Sequence, residues 1–187
     1  MGQLLNVLFN GWMISEICLA IVTRTGRNGG KLRDRGSLLI LWGTILVSIF
    51  AAKWVSSQTG RTLLPEAHWL GWAILLAMLA GGVIRWTAIL SLGRTFSVNV
   101  AIHDEQKLNH SGLYRFVRHP SYTGMMLSFL ALGLAQNNWW ACLCLLLPVT
   151  AALLYRIHVE EAALNEAFGA QYAAYSEQTK RLIPGIY

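Results

Sequence analysis

Arg118-His119-Pro120-Ser121-Tyr122-Thr123-Gly124 marks the point where a polar stretch turns back into a long apolar run. His119 precedes a proline, which biases its backbone toward extended conformations and away from helix. Pro120 lacks an N–H and has a helix-compatible φ, so it suits the first position of the helix that follows. A helix starting there leaves backbone N–H groups pointing outward, a seat for an anionic ligand group. An imidazole, a phenol and a guanidinium gather around that start, at the edge of what reads as a membrane span. Ionisable groups at such a depth are costly and usually have a function. The simpler alternative is an interfacial belt that only anchors the span.

Outward from this stretch, the chain is that of a membrane protein. Of its 187 residues 55% are hydrophobic and 13% charged, against about 25% charged in an average soluble domain. Three apolar runs, about 4–22, 37–55 and 69–92, precede the motif. The first, at about 1.5 Å per residue, covers roughly 28 Å and can cross a hydrocarbon core. Two shorter runs follow, about 121–135 and 139–155, separated by Gln136-Asn137-Asn138. They form a helical hairpin whose second arm should kink at Pro148. The fold class is an all-α integral membrane protein with about five transmembrane helices and a C-terminal helical hairpin.

Charge sets the orientation. Of 15 Lys and Arg, only Lys53 and Arg61 fall on one side in this topology, which puts the N-terminus outside and the C-terminus in the cytoplasm. The formal charge of +6 is spread over loops and forms no nucleic-acid-reading pattern. The first run has no positive residues before it and several after, the reverse of a signal peptide, so it is expected to stay in the mature protein. Gly26, Gly29, Gly30 and Gly36 disfavour a helix in the first basic loop. Cys18, Cys142 and Cys144 lie in apolar runs without metal or disulfide spacing and read as small buried hydrophobes; no metal is expected. Arg85 lies about two turns from the cytoplasmic end of the third run. Snorkelling accounts for it, or it faces inward and lines a site.

From Gly93 to Arg118 the chain is polar. Phe96 to Ile102 alternates as a strand does, and His103 to Gly112 reads as loop. A polar segment this long inside a compact protein is usually functional or disordered, and its aromatic and β-branched residues argue against disorder. The topology brings three polar regions to the cytoplasmic side: the 99–114 loop, the 119–122 helix start and the 156–160 exit of the last arm. Arg156 and Glu160 are four apart and share a helix face, whereas Glu161 points about 100° away. An ordinary boundary salt bridge explains the pair alone. The convergence of a cation, a helix start, an imidazole and phenols favours a site.

These residues carry a resemblance. Gly112-Leu113-Tyr114-Arg115-Phe116-Val117-Arg118-His119-Pro120-Ser121-Tyr122-Thr123-Gly124, followed by Arg156, Glu160-Glu161, Leu164, Phe168-Gly169, Tyr172 and Tyr175, resembles the isoprenylcysteine carboxyl methyltransferase family and its bacterial relatives. It covers about Phe96 to Pro184; the N-terminal spans match only in being hydrophobic. The resemblance implies an integral membrane methyltransferase that uses S-adenosylmethionine without a Rossmann domain, in a prokaryotic inner membrane. It makes residues 93–187 the cofactor-binding and catalytic half of a single domain, behind the three spans of residues 1–92. His119, Pro120, Ser121 and Tyr122 fall on the family's cofactor motif and Tyr114 on its preceding tyrosine. Gln106, Lys107, Leu108 and Asn109 fall on a cytoplasmic cofactor-binding loop, and Asn99 on a further polar contact. Glu160 matches the acid that holds the cofactor, and Arg156 the residue that meets the substrate carboxylate.

The chemistry is compatible. A sulfonium methyl needs an aligned nucleophile, so positioning and exclusion of water supply most of the acceleration. A carboxylate is already ionised at neutral pH and needs a cation to place it, for which Arg offers a bidentate fork. A lipid ammonium would need deprotonation and would be repelled by Arg156. The expected acceptor is therefore a lipid-like, prenylcysteine-type acid reached from the membrane. Alternatives are amine- or thiol-directed methyltransferases of the same fold, a membrane NADPH-dependent reductase, and a scaffold or transporter subunit. A transporter is disfavoured because the polar groups gather at one face and not at mid-membrane.

Overall fold

The computed structural model describes residues 2–22, 31–32, 36–60, 68–93, 101–102 and 108–187. Among the described residues, the helices are α1 (Gly2–Val22), α2 (Ser37–Thr59), α3 (His68–Leu92), α4 (Pro120–Ala135), α5 (Trp139–Phe168) and α6 (Ala170–Gln178). A 3-10 turn, Gly112–Arg115, leads into α4. The strands β1 (Lys31–Leu32) and β2 (Ala101–Ile102) pair antiparallel, Lys31 opposite Ile102. The strand expected over 96–102 is therefore described only at its last two residues.

Helices α2, α3 and α5 are long and apolar enough to cross a membrane, and α4 is a shorter apolar helix. Their outward faces carry Leu39, Val47, Phe50, Leu76, Val83, Leu90 and Leu147, all exposed, as lipid-facing surfaces are in a bilayer. Helix α5 continues past the end of its apolar run at Tyr155, in keeping with the expected exit through Arg156 and Glu160. It runs through Pro148 as one helix to Phe168, about 45 Å at 1.5 Å per residue, so its last turns project beyond a hydrocarbon layer. Cys142 is buried as expected, whereas Cys18 is exposed.

The hairpin α4–α5 is the centre of the bundle; α3 packs along α4, and α2 along α5. Trp12, Ile45, Met78, Met125, Phe129 and Leu145 belong to a shared core. At the hairpin's turn, buried Asn138 accepts from Ala141 N at 3.0 Å to cap α5 and donates to Thr59 Oγ1 at 2.6 Å. One residue therefore starts α5 and ties it to the end of α2.

Glycine sets the α3–α4 spacing. A Cβ on Gly124 would lie 2.5 Å from Gly81 O and 2.7 Å from Arg85 N. Small residues let membrane helices approach backbone to backbone, and here this brings the first turns of α4 against Arg85. Gly124→Ala should therefore lower stability by about 1–3 kcal/mol or more through overpacking. Gly82→Ala, whose Cβ meets nothing within 4 Å, should not. Thermal unfolding of the two variants in one detergent checks the contrast, and equal midpoints would mean that the helices part easily.

Candidate active site

The motif folds into a crossing of three segments at one end of the bundle. Gly112 takes φ +58°, a conformation glycine adopts without strain, and starts the 3-10 turn that buries Tyr114. The Tyr114 hydroxyl donates to Ala88 O at 3.4 Å, and its own carbonyl accepts from Tyr175 Oη at 2.6 Å. Pro120 occupies the first turn of α4, and His119 before it is non-helical at φ −124°. The C-terminal tail lies beside this corner: Arg118 N donates to Lys180 O at 2.8 Å and His119 N to Arg181 O at 3.0 Å. Tyr122 N and Thr123 N turn back onto His119 O. The helix start expected to offer open N–H groups is thus largely bonded within the chain.

Side chains at this corner divide into two clusters on neighbouring faces of α5. In the first, Tyr122 Oη donates to Glu160 Oε2 at 2.8 Å, and Arg156 Nε donates to Tyr122 Oη at 3.4 Å. Tyr122 therefore bridges the guanidinium and the carboxylate, which share the face their four-residue spacing implies. Arg156 is 2% exposed and also donates to Ser37 Oγ at the start of α2, whereas the Glu160 side chain is 33% exposed. In the second cluster, Glu161 accepts from Arg118 Nε at 3.0 Å and lies 2.8 Å from Arg181 Nη2. Arg118 reaches on to the carbonyls of Ser176 and Thr179. His119 stands between the clusters, Nδ1 3.9 Å from Glu160 and Nε2 3.4 Å from Glu161. Its ring stacks on Tyr122 at 5.7 Å.

The tyrosines around the corner stay protonated. Burial, then Glu160, raises the Tyr114 hydroxyl well above its ordinary value. Burial pushes Tyr175 up to about 12, against the opposing effects of its Thr179 hydrogen bond and Arg118. Both act only as hydroxyl groups at physiological pH. The Tyr172 hydroxyl is buried close to Glu161, and by geometry it makes no hydrogen bond among the described residues.

The remaining expected site residues distribute differently. Ser121 is buried at the start of α4. Asn109 uses its side chain locally: Oδ1 accepts from Ser111 N at 2.9 Å, and Nδ2 donates to Ser91 O at 3.4 Å. It shapes the approach to Gly112 rather than joining the two clusters. Leu108 is half-buried next to it. Asn99, Gln106 and Lys107 lie outside the described residues. Arg85 does not snorkel: it is 5% exposed and grips Glu16, itself 2% exposed, through both Nε and Nη2. Sequence reasoning passed over Glu16, Glu161 and Ser37, although a lone acid in the first apolar run was a visible sign of an inward-facing partner. Among the described residues, no group of three His, Cys, Asp or Glu is arranged to hold a metal ion.

Known proteins give this corner a context. Residues 72–166 match the family model described as "Isoprenylcysteine carboxyl methyltransferase (ICMT) family". A probable protein-S-isoprenylcysteine O-methyltransferase of Oryza sativa subsp. indica is 30% identical over 185 residues, 96% of this chain and 92% of that protein. A methanethiol S-methyltransferase of a Pseudomonas species is 28% identical over 148 residues, 79% of this chain and 54% of that protein. The solved structure of the eukaryotic intramembrane Ras methyltransferase ICMT superposes with a TM-score of 0.55 at 28% identity, over 79% of this chain and 52% of that one. The fold is that of an integral membrane methyltransferase. The chain belongs to the isoprenylcysteine carboxyl methyltransferase family, so the reductase, scaffold and transporter readings are set aside.

The two acids of α5 should separate in experiment. Glu161 is a nearly enclosed carboxylate holding Arg118 and Arg181, so Glu161→Gln should cost about 3 kcal/mol and loosen the segment after Thr179. Glu160 is one-third exposed, and Glu160→Gln should change stability by only about 0.5 kcal/mol. Thermal midpoints with limited proteolysis of the tail check this; equal destabilisation would erase the distinction.

Proposed function

We propose that this chain transfers the methyl group of S-adenosylmethionine to the carboxylate of an amphipathic, prenylcysteine-like acid at the cytoplasmic membrane face. The observation that carries the reading is the Tyr122 bridge, which joins an enclosed guanidinium, Arg156, to a partly open carboxylate, Glu160. A cation that can place an acid thus stands beside an anion that can hold a cationic group.

The donor set fits the cofactor. Glu160 has the charge for an ammonium and stays open enough to receive one. Protonated tyrosines, His119 and the buried Tyr172 hydroxyl offer further polar partners at the same corner. When bound, S-adenosylmethionine supplies an electrophilic methyl on a sulfonium. The protein then orients and encloses. Arg156 aligns the acceptor carboxylate through its planar fork, and the buried corner excludes water that would compete as nucleophile. No side chain has to remove a proton from an acid already ionised at neutral pH. Residues 1–92 shape the membrane side of a single domain whose remainder, 93–187, holds the cofactor. The Lys and Arg asymmetry supports a cytoplasmic site, in a prokaryotic inner membrane, with lipid as neighbour and no nucleic acid or metal required.

The likeness to methanethiol S-methyltransferases supports a second reading, transfer to a small thiol. Arg156 distinguishes the two by geometry, because a carboxylate engages both arms of the fork whereas a thiolate offers a single sulfur that a lysine can place equally well. Arg156→Lys should lose most carboxyl methylation, tenfold or more, while S-adenosylhomocysteine affinity changes little; Arg156→Ala should abolish transfer. Full activity in the lysine variant would reduce Arg156 to a structural partner of Tyr122 and Ser37.

A further inference from the structure

Glu16 and Arg85 are two ionised groups inside apolar helices, yet neither belongs to the corner where Tyr122 meets Arg156. The fork of Arg85 closes on the carboxylate through Nε and Nη2, and the remaining nitrogen, Nη1, lies 3.5 Å from Ser121 O. Arg85 backbone is also pressed against Gly124, and one turn further on Ala88 O receives the Tyr114 hydroxyl. The guanidinium is therefore flanked by two proposed cofactor residues, Ser121 and Tyr114. The family match begins at residue 72 and includes Arg85 but not Glu16.

Stability does not explain such a pair, because a buried ion pair is often no better than apolar residues of equal volume. Its electrostatic effect is another matter. Glu161 is shared by Arg118 and Arg181, and Glu160 faces Arg156 through Tyr122, so among the described residues the corner carries no surplus of negative charge. A bare Arg85 would add a cation there, in surroundings where charges act strongly over distance and salt screens poorly. The Arg85 charge already reaches Tyr114, where it opposes the upward push of burial and Glu160 on the hydroxyl.

We infer that Glu16 is a positioning residue that acts through Arg85: it holds the guanidinium beside Ser121 and cancels its charge, so that the site admits a positively charged methyl donor as readily as the neutral-sulfur product. The inference rests on the proposed use of S-adenosylmethionine. It predicts a change in ligand preference, which a purely structural pair would not produce.

The test is calorimetric binding of S-adenosylmethionine and S-adenosylhomocysteine to the full chain in nanodiscs of one lipid composition. Wild type, Glu16→Gln, Glu16→Met and the double variant Glu16→Gln with Arg85→Gln are compared. Glu16→Met fills the same volume without an unsatisfied amide, should the glutamine fail to fold. Either single variant should lose affinity for the sulfonium ligand on the order of tenfold more than for the thioether, and the double variant should return to the wild-type ratio. Equal losses for both ligands, or no change in the ratio, would overturn the inference. If wild type bound neither ligand, the methyl-donor reading itself would fail and take this inference with it.

Discussion

Glu161 is the carboxylate on which the corner is built. It sits near the far end of α5, with its side chain 10% exposed, and takes Arg118 from the loop before α4 and Arg181 from the C-terminal tail. Three segments distant in sequence therefore meet on one buried anion. Removing either cation would leave part of that charge uncompensated, which is far costlier than losing an exposed pair. Through this anchor the tail lies against His119, His119 stacks on Tyr122, and Tyr122 reaches both Arg156 and Glu160. The geometry of the corner therefore depends on a carboxylate that lies off the face shared by Arg156 and Glu160.

Adjacent residues of one helix thus have different tasks because a helix turns by about 100° per residue. Glu161 faces two guanidinium groups and is enclosed; Glu160 faces a phenol and keeps a third of its side chain open. The same division recurs deeper in the bundle. Arg156 is held by the hydroxyls of Ser37 and Tyr122, whereas Arg85 is satisfied by the carboxylate of Glu16. Each buried guanidinium has a partner drawn from another helix. The small residues Gly81 and Gly124 bring α3 and α4 close enough for Arg85 to reach the start of α4.

Much of this was legible in the chain. The apolar runs located the helices, three of which are long and apolar enough to cross a membrane, because hydrocarbon demands continuous hydrophobic helix, and Pro120 located the start of α4. The four-residue spacing of Arg156 and Glu160 placed them on one face, and Tyr122 meets both. What sequence missed was pairing across helices. Snorkelling and an inward-facing role stay open for Arg85 in the sequence, because its helix gives no sign of Glu16, 69 residues away. Glu161 was set aside as pointing elsewhere, but the direction it points is where Arg118 and Arg181 converge. Asn109 was matched by position to a cofactor loop, while its side chain closes a local turn with Ser111, a habit of Asn that competes with longer-range roles.

We propose that the enclosed Arg156 beside the more open Glu160 makes this corner a site for methylating an acid. The most direct measurement is methyl transfer by the wild-type protein from labelled S-adenosylmethionine, with N-acetyl-farnesylcysteine and methanethiol offered separately at equal concentration. The account predicts transfer to the prenylcysteine acid as a base-labile methyl ester, and little or none to the thiol. Transfer to methanethiol with no ester formed on the acid would contradict it.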